Sequence, residues 1–344
     1  MTFIATCMLR GITPPLRWPC FIVVGFIMRI LITGASGFAG GFLAEALLEK
    51  PNVQVTGIAR QNRWRLETRH LAERVELLDL DLCDGDKVES ILRQVRPEQI
   101  YHLAGYAHVG RSFQEPEVAW NGNLLATLAL YDAIHRWGGK PRILYISSGQ
   151  IYGEPENPQA SFDERSLLRP TSPYAASKVA ADLASYQYSR SPGLDIVRVR
   201  PFNHIGPRQS PDFAVAHFAK QIADIERDRR PPVLETGNLT PLRDLTDVRD
   251  MARAYIMLME KGRTGEVYNA AAGEVHSMQS VLDRLLKLAR VRVEVRQKAA
   301  QVRATDPSAI RADAGKLRKE IGWTPAISLD QTLTDTLEYW RAQP

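Results

Sequence analysis

The sequence predicts an α/β protein: a doubly wound parallel sheet with helices on both faces, followed by a smaller, mostly helical C-terminal lobe. Three observations carry that expectation. From Met28 onward, short β-branched runs alternate with amphipathic stretches, which is the rhythm of repeated βαβ units. The runs Ile30-Leu31-Ile32 and Ile143-Leu144-Tyr145-Ile146 are almost wholly apolar, as strands buried on both faces must be. Beyond about residue 203 the alternation gives way to loops rich in Pro, Gly and Arg between separate helices.

In order, the pattern reads as strand 28–33, helix 38–49, strands 53–59 and 75–78, helix 85–95, strand 99–103, helix 116–137, strand 142–147, helix 173–190 and strand 195–199. Helices follow near 212–229, 247–261, 277–290 and 328–342. The chain therefore divides into an extension (1–27), a dinucleotide-binding part that also carries the reactive groups (28–202), and a substrate-binding lobe (203–344). In the extension, Arg10 and Arg17 precede the apolar run from Phe21 to Ile27, as in a secretory signal. That run passes straight into the first strand without a small-residue cleavage site, and it is too short to span a bilayer. A dispensable segment ahead of a start at Met28, without stable membrane association, is the expectation; a membrane anchor is the alternative.

The composition of the 344 residues, 44% hydrophobic and 24% charged, is that of an ordinary globular chain. A net charge of +5 suits a nucleic acid, a membrane surface or a phosphorylated small molecule. Lys and Arg are scattered, however, and the densest basic spot, Arg227 with Arg229-Arg230, reads as a solvated face, so no nucleic-acid partner is expected. Cys7, Cys20 and Cys83 lack any metal-ligand or disulfide spacing. No metal is expected, and a reducing cytoplasm fits.

The first strand feeds Gly34-Ala35-Ser36-Gly37-Phe38-Ala39-Gly40, after which Phe42, Leu43, Ala46 and Leu47 repeat at helical spacing. A glycine turn at a helix N-terminus lets the backbone approach a pyrophosphate, whose charge the free N–H groups and helix dipole stabilise. The spacing is GxxGxxG, and the strand–turn–helix context makes it a Rossmann-type dinucleotide site. Gly34, Ser36, Gly37, Phe38, Ala39 and Gly40 are its candidate contacts. Where an NAD enzyme would end its second strand in an acid, this chain has Arg60, with Arg63 and Arg65 behind it. Guanidinium groups suit a 2′-phosphate, so NADP(H) is expected and NAD(H) remains open. Asp81-Leu82, after the third strand, is placed to meet the adenine edge.

The reactive groups are expected in Thr171-Ser172-Pro173-Tyr174-Ala175-Ala176-Ser177-Lys178. Ser172 can cap a helix with Pro173 in its first turn, and i, i+4 spacing puts Tyr174 and Lys178 on one face. A phenol with an ordinary pKa of about 10 is drawn toward neutrality by a nearby ammonium, so Tyr174 can act as general acid or base. Ser147-Ser148-Gly149-Gln150-Ile151-Tyr152-Gly153 directly follows a buried strand, where open α/β sheets bind ligands. Ser148 can then hydrogen-bond the oxygen that Tyr174 protonates.

The glycine turn, the strand-end serine and the Tyr-x-x-x-Lys pair together resemble the extended, nucleotide-sugar-modifying branch of the short-chain dehydrogenase/reductase superfamily (the NAD-dependent epimerase/dehydratase family), over residues 28–342. The resemblance implies Ser148, Tyr174 and Lys178 as catalytic groups, with Tyr174 and Lys178 also meeting the cofactor. It implies Leu103, Ala104 and Gly105 beneath the cofactor and Asn123 beside it. It further implies Gln150, Asn203, Arg243 and Arg303 at the substrate, the two arginines clamping a diphosphate as forked guanidiniums do well. Leu124, Leu128, Tyr131, Ala180, Leu183 and Ala184 fit either the four-helix homodimer interface of that branch or intramolecular core.

Within the branch, dehydratases resemble one another in a Glu that serves as base two residues before the Tyr of the strand-end motif. This chain has Gln150 there, and an amide has no proton-accepting state near neutral pH; dehydration is therefore disfavoured, with Glu154 or Asp163 as the substitute bases the sequence offers. The stretches Arg200 to Pro207, Phe218 to Ile222 and Gly237-Asn238-Leu239 resemble the 4-keto reductases of GDP-linked 6-deoxyhexoses. That resemblance implies NADPH-dependent reduction giving GDP-D-rhamnose. A GDP-mannose 4,6-dehydratase or a nucleotide-sugar 4-epimerase is the enzymatic alternative, and a dinucleotide-sensing regulatory protein is the non-enzymatic one. A complete Ser148, Tyr174 and Lys178 set argues against the sensor.

Overall fold

The computed structural model describes residues 27–61, 63–157, 159–298 and 308–344. The first six strands, β1 Met28–Thr33, β2 Val53–Ala59, β3 Glu76–Asp79, β4 Gln99–His102, β5 Arg142–Ile146 and β6 Ile196–Pro201, lie close to their predicted positions. Short strands follow: β7 Asn203–Ile205, β8 Val233–Thr236, β9 Leu242–Asp247, β10 Val267–Ala270, β11 Val275–Ser277, β12 Glu294–Gln297 and β13 Ala309–Ile310. The helices are α1 Phe38–Leu48, α2 Gly85–Val95, α3 Pro116–Trp120, α4 Ala126–Trp137, α5 Pro173–Arg190, α6 Ala214–Glu226, α7 Val248–Lys261, α8 Met278–Leu288, α9 Gly315–Ile321 and α10 Leu329–Ala342.

Seven parallel strands form the central sheet in the order β3-β2-β1-β4-β5-β6-β10. Successive side chains leave a strand on opposite faces, and here both faces are dry. Ile30, Ile32, Leu144 and Ile146 point into the core under α1 and α7, whereas Leu31, Ile143 and Tyr145 point into the core under α2, α4 and α5. Each such side chain contributes about 1.5–3 kcal/mol on burial, which is why these strands carry no polar alternation. The strand order reverses between β1 and β4, so their carboxyl ends open the crevice in which such sheets bind ligands.

The cut expected after residue 202 is not where the layers divide. Strand β10 closes the sheet beside β6, pairing Val267 with Arg198 and Ala270 with Pro201. Helix α7 then covers the α1 face, and Trp323, fully buried, joins the same core while its indole donates to Asp250 O at 3.0 Å. The remainder forms a lobe in which α6, α8 and α10 enclose Val215, Phe218, Leu282 and Leu333. The sequence pattern suggests only loops where this lobe carries two small sheets, β11-β9-β13 with β7 alongside β9, and β12-β8. Runs of two to six residues give too few periods to separate strand from loop.

Side-chain caps start most of the longer helices: Asp84 on α2, Ser172 on α5, Asp247 on α7, Ser277 on α8 and Ser328 on α10. Helix α1 has none, and its first turn carries no acid. The single helix expected over 116–137 is interrupted by a π-turn, Asn121–Leu125, between α3 and α4. No described helix is long and apolar enough to cross a membrane.

A fragment ending at residue 202 leaves the α7 face of β5 and β6 uncovered. It is expected to lose the cooperative thermal transition of the full chain, followed by circular dichroism. A melt as sharp and as high as that of the full chain would show that the division at 202 is real.

Candidate active site

The turn between β1 and α1 is packed too tightly for side chains. A Cβ on Gly40 would lie 2.2 Å from Gly34 O, and one on Gly34, whose φ is +73°, would lie 2.8 Å from the Ala104 amide. The backbone of Gly34 and Ala35 is fixed by N–H bonds to Ile58 O at 2.8 and 3.3 Å. Because α1 is uncapped and free of acids at its start, its N–H groups and positive end remain available to an anion. Ser36, Gly37, Phe38 and Ala39 are partly buried around this mouth. The cradle fits a dinucleotide pyrophosphate.

At the far end, Arg60 follows β2 and is exposed, as are Arg63 and Arg65. Arg60 acts electrostatically on the Cys83 thiol beside Asp81, so the guanidinium and the expected adenine-side acid do share one corner. Asp81 is exposed and accepts the Cys83 N–H at 3.0 Å. The Leu82 side chain is buried in the core under α2 and α4, so Asp81 is the exposed side chain of the pair.

A buried relay forms the floor. His102 Nδ1 pairs with Thr33 Oγ at 2.7 Å and Nε2 with Thr127 Oγ at 2.9 Å. Thr127 donates its own proton to Asn123 O at 2.6 Å, so Nε2 must carry the imidazole proton and Nδ1 must accept from Thr33. Thr33 Oγ in turn accepts the Ala104 N–H at 3.1 Å. Burial, with Lys178 adding to it, pushes His102 down to about 3, so the ring is neutral. Asn123 was expected against the cofactor, but it is fully buried, with Oδ1 accepting Tyr106 N–H at 3.0 Å and Nδ2 donating to Ser177 Oγ at 2.9 Å. It therefore acts from behind the site. The π-turn is what brings this amide inward, and π-turns recur at functional positions. Gly105 lies against both groups: a Cβ there would come 2.5 Å from Asn123 Oδ1 and 3.2 Å from Lys178 Nζ.

Tyr174 and Lys178 occupy successive turns of α5, whose start is set by Ser172 Oγ accepting the Ala175 N–H at 3.1 Å, with Pro173 beside it. Ser148, two residues beyond β5, is close enough to the Tyr174 phenol to favour its ionised form. Lys178 Nζ donates to Ile146 O at 3.0 Å and lies 5.5 Å from the Tyr145 ring centre. Burial raises the phenol above its ordinary value, opposed by the nearby Ser148 hydroxyl. Burial also pulls Lys178 down to about 8, opposed by Asp182. The expectation that the ammonium lowers the phenol is thus reversed: desolvation prevails, and the lysine directs a proton to Ile146 O instead.

On the substrate side, Gln150 sits half-buried in a 3-10 turn, Gly149–Tyr152, and its N–H donates to Ser148 Oγ at 3.2 Å. Asn203 begins β7 opposite Leu245. Arg243 is buried on β9, opposite His276 and Ile310, with Nη1 donating to Leu242 O at 2.9 Å. Its neighbour Asp244 accepts the N–H groups of Ala272 and Gly273 at 3.0 and 2.8 Å, and burial lifts its carboxyl to about 7. Arg303 lies outside the described residues. Among those residues, no group of three or more His, Cys, Asp or Glu could hold a metal ion.

Residues 31–336 match the family described as GDP-mannose 4,6 dehydratase. The chain belongs to that family. GDP-6-deoxy-D-mannose reductase of Pseudomonas aeruginosa is 32% identical over 315 residues, which span 92% of this chain and 98% of that one. A dTDP-glucose 4,6-dehydratase of Streptomyces niveus is 29% identical over 326 residues, 91% and 93% of the two chains. Among solved structures, RMD from Pseudomonas aeruginosa complexed with NADPH aligns with a TM-score of 0.79 at 30% identity, covering 92% of this chain and 99% of that one. The UDP-glucose 4-epimerase of Thermus thermophilus in complex with NAD aligns with a TM-score of 0.81 at 30% identity and the same coverage. The GDP-mannose 4,6-dehydratase family thus contains the fold and motifs of the extended branch that the sequence resembled.

For this member of the GDP-mannose 4,6-dehydratase family, sequence reasoning passed over Thr33, Thr127 and Ser177, which join the glycine turn to the reactive helix. Their hydroxyls look like ordinary strand and helix residues until folding removes every alternative partner. His102, at the end of an apolar strand, was the one visible signal of a buried polar network.

The cradle generates a direct test. Gly40→Ala would place its methyl 2.2 Å from Gly34 O. It is expected to weaken NADPH binding at least about tenfold, measured by nucleotide fluorescence titration, while the far-ultraviolet spectrum stays native.

Proposed function

We propose that this protein uses NADPH to reduce the 4-keto group of a GDP-4-keto-6-deoxyhexose, forming GDP-D-rhamnose. The observation that carries this reading is the pairing of a complete Ser148, Tyr174 and Lys178 set with a 3-10 turn that offers no carboxylate. Elimination of water needs a base at the sugar carbon and an acid at the departing hydroxyl. Gln150 is an amide, and a side chain at Gly149 would begin 2.9 Å from the Phe202 ring. The likeness to the Pseudomonas reductase supports the same choice.

The Gly34–Gly40 turn would hold the pyrophosphate, Arg60 with Arg63 and Arg65 the 2′-phosphate, and Leu103 to Gly105 the nicotinamide end. NADPH bound there would supply the hydride for C4. Ser148 donates a hydrogen bond to the ketone oxygen and polarises it. Tyr174, kept protonated by burial, gives its proton to O4 as the carbonyl becomes a carbinol. Lys178 would hold the nicotinamide ribose and, as an ammonium, stabilise the phenolate left behind. Gln150, Asn203, Arg243 and Arg303 orient the sugar and its diphosphate.

We place the enzyme in the cytoplasm, as a homodimer. Tyr131, one of the positions that fitted either an interface or core, is core, with its hydroxyl 2.8 Å from Ser185 Oγ. Val118, Trp120, Leu125, Leu183 and Tyr186 are exposed on α3, α5 and the π-turn between α3 and α4, and they support a helical interface with a second copy.

Purified protein given GDP-4-keto-6-deoxymannose is expected to oxidise NADPH in a one-to-one ratio and to leave GDP-mannose unchanged. Conversion of GDP-mannose without net change at the nicotinamide absorbance band would instead make it a dehydratase or epimerase that recycles its cofactor. Tight NADPH binding without turnover of either sugar would favour a sensor.

Two substitutions separate the roles. Tyr174→Phe is expected to reduce kcat by at least about a hundredfold while NADPH affinity stays within a few fold. Gln150→Glu is expected to add at most weak dehydratase activity, because Gly149 still offers no acid; product analysis by mass spectrometry decides it.

A further inference from the structure

One turn beyond Lys178 on α5 lies a charged cluster that the proposed reaction does not use. Asp182 is fully buried. Its Oδ1 accepts from Arg198 Nη1 at 2.7 Å and Arg200 Nη2 at 3.0 Å, and its Oδ2 accepts from Arg200 Nε at 3.1 Å. Both arginines are themselves nearly inaccessible, with side chains 8% and 5% exposed. Arg200 is held further by donating to the Tyr152 hydroxyl at 2.8 Å and to Glu164 O at 3.2 Å, and Arg198 by donating to Gly265 O at 3.0 Å. The carboxylate cannot turn away, and its charge cannot be replaced by water.

With Lys178 included, this pocket gathers three cationic side chains and one anion in low dielectric, where charges interact strongly. One further charged group faces it: Glu266, beside Arg198, is held as a carboxylate by Lys316; the aromatic hydroxyls and the imidazole packed around it are neutral near physiological pH. Burial keeps the Tyr131 and Tyr145 hydroxyls protonated and the His102 ring uncharged. Tyr174, on the same helix, is likewise a neutral phenol. Asp182 itself would be pushed up by burial, but Arg200 and Arg198 overcome that and hold it ionised.

We propose that Asp182 is a positioning residue of the reaction: pinned by Arg198 and Arg200, its carboxylate is the counter-charge that keeps Lys178 an ammonium ion beside Tyr174. The triad is then a charge setting for the lysine as well as a brace between α5 and β6. Asp182→Asn removes the anion and leaves three buried cations. Arg198→Met removes one cation, keeps most of the side-chain volume, and leaves Asp182 with Arg200. A charge setting therefore moves the Lys178 titration in opposite directions in the two variants, whereas a mere brace lowers stability in both and moves neither.

The test is the titration of Lys178 itself, in full-length protein labelled with carbon-13 at the lysine ε position and followed by NMR from about pH 6 to about pH 10. Lys178→Arg assigns the resonance. The native midpoint is expected at about 8, lower by about one unit in Asp182→Asn and higher by a similar amount in Arg198→Met. Should Asp182→Asn fail to fold, the upward shift in Arg198→Met stands alone as the test. Midpoints that coincide with the native one, or that shift in the same direction, overturn the proposal. A consequence for turnover rests on the reductase reading: with the phenol raised, the alkaline limb of kcat reports Lys178 and follows the same shifts. The NMR titration needs no substrate, so an inactive assay would count against the reductase reading and leave this inference to its own measurement.

Discussion

The arrangement of the site depends on one buried hydrogen-bonded chain, from Thr33 through His102 and Thr127 to Asn123, then through Ser177 to the Tyr174 carbonyl at 2.8 Å. Each link has one allowed proton position, because each hydroxyl and the imidazole both give and receive. A buried polar group left without its partner costs about 1–3 kcal/mol, so the chain locks as a unit. Its two ends are the glycine turn, through the Ala104 N–H on Thr33, and the reactive helix, through Ser177. The distance between the cofactor cradle and the Tyr174–Lys178 face is thereby fixed by the protein before any ligand arrives. That fixity is the source of proximity in the proposed reaction.

A second set of contacts fastens the lobe to the same edge of the sheet. Phe38, from the glycine turn, stacks on His204 with ring centres 6.0 Å apart and planes 5° from parallel. Arg208 places its guanidinium 3.7 Å over the Phe42 ring and forks onto Glu45 at 2.6 and 2.8 Å. On the other side of the crevice, His108 stacks on Phe213 at 5.5 Å and Arg111 pairs with Asp212 at 3.2 Å. The exposed ion pair contributes little by itself. The aromatic contacts and the half-buried fork keep the lobe in register with the cofactor helix. They also show why 202 is a poor division: the residues just beyond it are anchored to α1, and β10 completes the sheet.

What the sequence disclosed follows from how local each signal is. Ile30-Leu31-Ile32 and the glycine turn were legible because two-faced burial and a close backbone approach each leave a contiguous trace. So was the Ser172 cap that aims Tyr174 and Lys178. Strand β9 was not, because Leu242-Arg243-Asp244-Leu245-Thr246-Asp247 looks like a charged loop until Asp244 meets the amides of Ala272 and Gly273, about thirty residues away in the chain. The phenol's direction was misjudged for the same reason. Spacing puts Lys178 beside Tyr174, but only the packed structure shows how dry the phenol is and that the ammonium points to Ile146. Asn123 was recognised by position, and its true contacts became visible only with the π-turn, which no sequence period announces.

The two ends of the cofactor site differ in a way that bears on the kind of reaction. The reactive end is buried and fixed by the hydrogen-bonded chain, whereas Arg60, Arg63 and Arg65 at the other end are all exposed. Guanidiniums in water hold a phosphate with modest, salt-screened energy. An enzyme that recycles its dinucleotide within each turnover has no need to release it. A reductase that consumes NADPH must discharge NADP⁺ every cycle, and a clamp too strong would make that release limiting. On the reductase reading, a nicotinamide end held rigid and a phosphate end held by surface arginines would meet both demands: geometry set where the hydride must travel, and exchange left open where only affinity is at stake. On the proposed reading, arginines that would meet a 2′-phosphate from the protein surface are suited to stoichiometric use of the cofactor.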